Sequence, residues 1–258
     1  GLRRRGYTPS SILNFVEKAG VAKNYSLVDI GLLEHCIRDE LNMGALRRIA
    51  VTEPIKAIID NYPTDKVEFF PISNNPNDPE AGTREVPFTR EIYIEKNDFS
   101  MDPPPKYFRL KPDGEVRLMG AYIIKFKEAR FDDNGEIKEI IVDADLESRN
   151  NSPIDGRKIK GTIHWVSASR CVDADVRLYD KLFTIENTGD IPEGKTYDDY
   201  LNVDSVITLN GCKLEESMKD VEPGEKFQFV RLGYFCKDTK NSNTYNRIVE
   251  LKDSKPFK

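Results

Sequence analysis

The chain is predicted to be mainly β with an N-terminal α-helical subdomain, its strands forming two antiparallel β-barrels. Three observations predict this. The first 42 residues carry apolar side chains at helical spacing between capping residues. From Arg47 onward, short runs rich in β-branched and aromatic residues follow one another. Turn signals separate these runs and no long helical pattern intervenes, which favours antiparallel barrels.

The first helix is expected from Thr8, a good N-cap, with Pro9 at the first helical position. Ile12, Phe15, Val16 and Ala19 follow at helical spacing, and Gly20 stops the run. A second helix is expected from Ser26, with Asp29 three residues on and a stripe of Leu27, Ile30, Leu33, Ile37 and Leu41. Met43-Gly44 ends it.

Ten strands are expected: 48–51, 67–72, 91–95, 116–126, 137–142, 161–166, 176–184, 205–209, 227–236 and 247–251. Pro112-Asp113-Gly114 reads as a turn and Asn134-Gly135 as a two-residue hairpin. Two small barrels fit this count better than one large one. The polar stretches 147–158 and 187–199 read as crossings or exposed loops.

Composition narrows the class. A hydrophobic share of 38% suits a globular protein, and no apolar run is long enough to span a membrane. Gly1 stands where a translated chain has Met, so a piece of a longer protein is expected. Cys36, Cys171, Cys212 and Cys236 lie far apart without a CxxC pair, as reduced packing cysteines of a cytoplasmic protein do. No metal site is expected.

A net charge of −5 argues against bulk electrostatic binding of nucleic acid. The charge is uneven, however. Residues 61–210 carry 20 basic and 29 acidic side chains, whereas both ends are mildly basic. Binding through a few placed arginines is compatible with this balance.

Catalytic chemistry is not legible. His35 and His164 are the only histidines, and both read as hydrogen-bonded structural residues. No nucleophile has a partnered base, and no glycine-rich loop would cradle a nucleotide phosphate. No catalytic residue is assigned.

The stretch Phe227–Cys236, FQFVRLGYFC, combines four rings with Gln228 and Arg231, both able to make paired hydrogen bonds to a base edge. Read as one strand, its period of two sets Gln228 and Arg231 on opposite faces, unless the strand twists, bulges or ends near Gly233.

GLRRRGYTPSSI, LNMGALRRIAV, NPNDPEAGTREVPF, GEVRLMGAYII, DGRKIKGTIHWVSA, VRLYDKLF and FQFVRLGYFC occur in an order that resembles the class I glutaminyl-tRNA synthetase family, from Gly1 to near Lys258. Glutamyl-tRNA synthetases of archaea and eukaryotes share part of these motifs. The resemblance implies a helical subdomain (1–45), a proximal anticodon-binding barrel (46–100 with 200–258) and a distal one (101–199), similar to a ribosomal barrel protein. It implies tRNA(Gln) as partner for a monomer that does not engage a membrane. ATP and Mg are implied for the full-length ligase, with no cofactor in this piece, which alone is expected to be inactive.

Carried over residue by residue, the resemblance assigns the first anticodon base to Arg117. It assigns the middle uracil to Arg47 and Gln228, and the third base to Arg109 with Arg231 beside it. Asn42 and Asn77 match positions near the splayed nucleotides. Arg3, Arg4, Arg5 and Lys23 match phosphate-facing positions. Phe108 departs from the pattern, because some members of the family carry a basic side chain there. Without the resemblance, a lone arginine in a charged β protein is more often an ion-pair residue, and Trp165 and Tyr179 are most simply core aromatics. Two alternatives to this assignment are the equivalent region of a glutamyl enzyme and a β-barrel module binding ribosomal RNA or a protein.

Overall fold

The computed structural model describes residues 1–21, 27–149, 153 and 155–252. Lys23, the helix start at Ser26 and part of the 147–158 stretch lie outside the described residues. The chain is mostly β with helices at its N-terminus, and the described residues hold two seven-stranded barrel-like sheets and a two-stranded one. It divides into two compact units. The first is Gly1–Leu46 with Asp175–Leu209 and Glu222–Lys258; the second is Arg47–Ala174 with Asn210–Val221.

In the first unit, the helix Pro9–Ala19 begins as its sequence dictates. The Thr8 hydroxyl accepts from the Ser11 N–H at 3.1 Å, and Gly20 closes the helix at φ 69°. The stripe is only half used. Ile12 and Phe15 pack inward, while Val16 is 51% exposed. The next helix runs Ile30–Gly44, later than expected, because Asp29 itself is the N-cap and accepts from Gly31 N–H at 2.8 Å. Leu27 therefore lies outside the helix. Thr8 and Ser10 both donate to Glu40, tying the two helices together.

Leu33, Ile37 and Leu41 pack with Tyr7, Tyr234, Cys236, Ile248 and Val249. The short helix Leu2–Arg5 reaches this core through Gly6, at φ 108°. A Cβ there would meet Cys236 Cβ at 2.6 Å, so only glycine permits the approach. The strands Lys226–Phe229, Gly233–Lys237 and Thr244–Val249 pair antiparallel in that order, and Val172–Tyr179 joins the last in parallel from Asp175.

The stretch expected as one strand over 227–236 is thus a hairpin. Leu232 N–H donates to Phe229 O at 2.9 Å, and Arg231 takes φ 69° at the third turn position. That position normally asks for glycine or asparagine. Phe227 and Phe229 are buried, with Phe229 stacked on Phe235 at 4.5 Å between ring centres. Tyr179 is not a core aromatic. It is partly exposed, donates to Asn246 at 2.8 Å and carries the Arg5 guanidinium over its ring.

The second unit holds a sheet of seven strands. In spatial order they are Thr162–Ile163, Glu115–Leu118, Ile123–Phe131, Ile137–Asp145, Pro54–Ile59, Glu91–Glu95 and Trp165–Ser167. Its two edge strands are separated along the chain by His164 alone, so the sheet must curl until its edges meet. Most neighbours are antiparallel, with parallel pairs of 162–163 on 117–118 and of 56–59 on 139–142.

This pairing cuts across the boundaries drawn from sequence. Strand 91–95 and the segment 54–59, both placed with residues 200–258 from sequence, belong to the sheet that contains 115–167. A strand's own residues do not encode its hydrogen-bonding neighbour, which tertiary packing selects.

The barrel interior is aromatic. Phe88 meets Tyr62, Phe70, Tyr122 and Trp165 with ring centres 5.0–5.7 Å apart, mostly edge-on. Tyr62 and Tyr122 both donate to one oxygen of Glu68, at 2.6 and 2.7 Å. Burial pushes both phenols up, and the Glu68 bond adds to it.

Where the barrel closes, buried His164 lies 3.5 Å from Glu95. Glu95 also accepts from the N–H groups of Thr52 and Glu53. Burial pushes the Glu95 carboxyl up, but His164 and these N–H groups outweigh it and hold it lowered. His164 is thus a structural clasp. His35 is half exposed and pairs with Asp39 at 3.2 Å.

Candidate nucleic-acid interface

A cleft of about 790 Å³ lies within the second unit. Its lining includes Lys106, Arg109, Lys111, Lys125, Lys158 and Lys160, with Asp113 and Glu115 as the opposing charges. The five lysines are all exposed. Such a basic concavity collects phosphate. It is not evident from the acidic average of residues 61–210, because the lysines come from three separate segments.

The walls are held from beneath. Buried Asp98 pairs with the Arg109 guanidinium, whose side chain stays 39% exposed. Asp98 O also accepts from Leu110 N–H at 3.0 Å, and Tyr107 hydroxyl donates to Asn97 O at 3.0 Å. Opposite, Arg117 N–H donates to Gly161 O at 2.9 Å, and its guanidinium bonds Ile159 O. Arg157 bridges Asp155, Asp145 and Glu115, which fixes the loop leading to Lys158. Arg109 thus lines the cleft directly, and Arg117 is tied to the segment that forms its wall.

Arg47 and Asn77 also belong to the second unit. Arg47 is buried at 6% exposure, and its N–H donates to Asn74 O at 2.5 Å. Arg48 donates to the Asn74 side chain at 2.9 Å. Asn77 is exposed in the same loop, its N–H on Asn75 Oδ1 at 3.0 Å. Beneath them, buried Glu215 accepts from Ile49 N–H at 2.7 Å and from the fork of Arg84. The fold therefore gathers Arg47 and the Asn77 loop at one place.

In the first unit, Gln228 is paired across the hairpin with Tyr234. The Tyr234 hydroxyl donates to Oδ1 of Asn42 at 3.3 Å. Oε1 of Gln228 is buried with no hydrogen-bond partner among the described residues, which is costly in a protein interior. Arg231 is exposed on the turn. Of the N-terminal arginines, Arg4 forks onto Asp238 at 2.9 and 3.0 Å, and Arg5 donates to Ile248 O at 2.8 Å. Arg3 is exposed, whereas Arg4 and Arg5 are partly buried.

Two family profiles with one description, tRNA synthetases class I (E and Q), anti-codon binding domain, match residues 45–146 and 162–238. Together they cover most of the chain, including the Gln228 hairpin and the cleft lining from Pro103 to Lys125. The chain belongs to this anticodon-binding family.

Among the relatives of this chain, a glutamine–tRNA ligase of Aliivibrio salmonicida is 46% identical over 98% of the chain. Those of Clostridium perfringens and Stutzerimonas stutzeri are 48% and 45% identical over the same share. The chain spans 46% of the length of each. No helix among the described residues is long and apolar enough to cross a membrane. Among the described residues, no group of three or more His, Cys, Asp or Glu is placed to hold a metal ion.

Proposed function

We propose that this chain binds tRNA(Gln) and reads its anticodon for a glutamine–tRNA ligase. The observation that carries the reading is the basic cleft of the second unit, with Arg109 in its wall, in a chain of the anticodon-binding family. Splayed single-stranded bases expose their Watson–Crick edges, where arginine donates to carbonyls and glutamine both donates and accepts. Arg117 takes the first base, and Arg109 takes the third. In the first unit, Gln228 takes the middle base. Asn42 and Asn77 contact the neighbouring nucleotides. The cleft lysines and Arg3 meet phosphates, which position the RNA without reading it. Arg4 and Arg5 serve the fold first, since both already bind protein acceptors.

Ligation of glutamine is the activity proposed for the whole protein, acting as a cytoplasmic monomer. ATP and Mg²⁺ would be used there. The chain has no phosphate-cradling glycine loop, so none of its residues is assigned to either group.

The test is titration of the chain with anticodon stem-loops. Tighter binding of the glutamine anticodon than of unrelated ones is expected. Equal affinity for all would leave a general RNA-binding module, and no RNA binding at all would leave a protein-binding one.

A further inference from the structure

The side chain of Phe108 is unaccounted for by base reading or phosphate contact. It is 53% exposed, although a large ring in water normally marks a binding surface when it sits inside a cleft. Lys160 Nζ lies 5.4 Å from its ring centre, a cation–π arrangement. Its backbone is fixed on several sides. A Cβ on Gly161 would overlap Phe108 O, so the two segments touch main chain to main chain as only glycine allows. Tyr107 and Arg109, its neighbours, are tied to Asn97 and Asp98. The ring is thus presented from a rigid base among six cations.

We propose that Phe108 is a stacking platform for one nucleobase of the bound anticodon loop. The inference rests on the anticodon-reading function proposed above. Every base has a π face, and grooves that track single strands pair such rings with phosphate-binding cations. A locked backbone lowers the entropy lost when the base docks. The ring holds a base in place beside Arg109, and specificity stays with the hydrogen-bonding side chains.

The test compares the chain with Phe108→Ala, Phe108→Leu and Phe108→Trp, titrated with the glutamine anticodon stem-loop at several salt concentrations. Thermal midpoints verify that each variant folds. Ala and Leu should bind about 5- to 100-fold more weakly at fixed salt, with an unchanged salt slope. Trp should bind at least as tightly as Phe, and its emission should be quenched by RNA. The chain's one native tryptophan, Trp165, is buried and gives the constant background.

Wild-type affinity in Phe108→Ala, with anticodon preference intact, would overturn the stacking and leave the reading standing. A salt slope reduced along with affinity would also overturn it, since Phe108 would then act by arranging phosphate contacts. If all hairpins bind alike and Phe108→Ala weakens every one by the expected factor, stacking stands and anticodon reading fails. A chain that binds no hairpin overturns both.

Discussion

Gln228 faces Tyr234 directly across a hairpin, and its Oε1 is buried with no hydrogen-bond partner among the described residues. The strand partner supplies an aromatic ring, and the Tyr234 hydroxyl is spent on Asn42 at 3.3 Å. An amide in that position costs stability in the free chain, because a buried acceptor without a donor forfeits its water. Gln228→Met keeps the length and removes the orphan oxygen. It should raise urea-unfolding stability by about 1 kcal/mol while weakening RNA binding. A loss of stability would mean that the amide is held by the fold and is not reserved for a ligand.

Asp238 anchors the N-terminal helix of the first unit. Burial pushes its carboxyl up, but hydrogen bonds from Arg4, from Asn246 and from the N–H groups of Lys240 and Asn241 outweigh burial. They hold it well below the usual carboxylate range. A carboxyl lowered in the folded state adds stability that is fully present above its unfolded value near about 4. That stability is lost as pH falls toward the folded value. The urea midpoint should therefore drop steadily below about pH 4. Asp238→Asn should cost about 1–3 kcal/mol at pH 7 and shrink the acid-dependent drop. An unchanged acid profile would show that Asp238 does not set it.

Gly161 fixes the Phe108 segment by contact. A methyl group there would overlap Phe108 O, which is main chain and has no rotamer to escape by. Gly161→Ala should cost about 1–3 kcal/mol in thermal or urea unfolding and weaken RNA binding as the cleft wall shifts. Wild-type stability with wild-type binding would show that the two segments are not rigidly seated.

Local chemistry makes part of this fold legible. Thr8-Pro9 and Gly20 bound a real helix, and the Asn134-Gly135 hairpin forms, with Gly135 at φ 79° and a loop of 132–136 rather than two residues. Pro54 and Pro87 hide two strands, Pro54–Ile59 and Thr83–Phe88, because proline in a run argues against a strand. It is tolerated at Pro54 as the first strand residue and at Pro87 in a two-stranded ribbon.

The Gln228 hairpin reads as one strand because no Asn-Gly or Asp-Gly marks its turn, and Arg231 takes the left-handed conformation instead. The lysine cleft is invisible along the chain because three distant segments supply it within an acidic stretch. For Arg4 and Arg5, a run of like charges says nothing about Asp238 or the Ile248 carbonyl, both more than 230 residues away.

In the proposed reading, Gln228 takes the middle base of the anticodon. The most direct measurement is a double-mutant cycle with wild type and Gln228→Ala, each titrated with the glutamine stem-loop and with one whose middle base is changed. A coupling of about 1–3 kcal/mol is expected, with Gln228→Ala weakening the cognate hairpin and barely affecting the changed one. Equal loss on both hairpins, and hence no coupling, would contradict a base-reading role for Gln228.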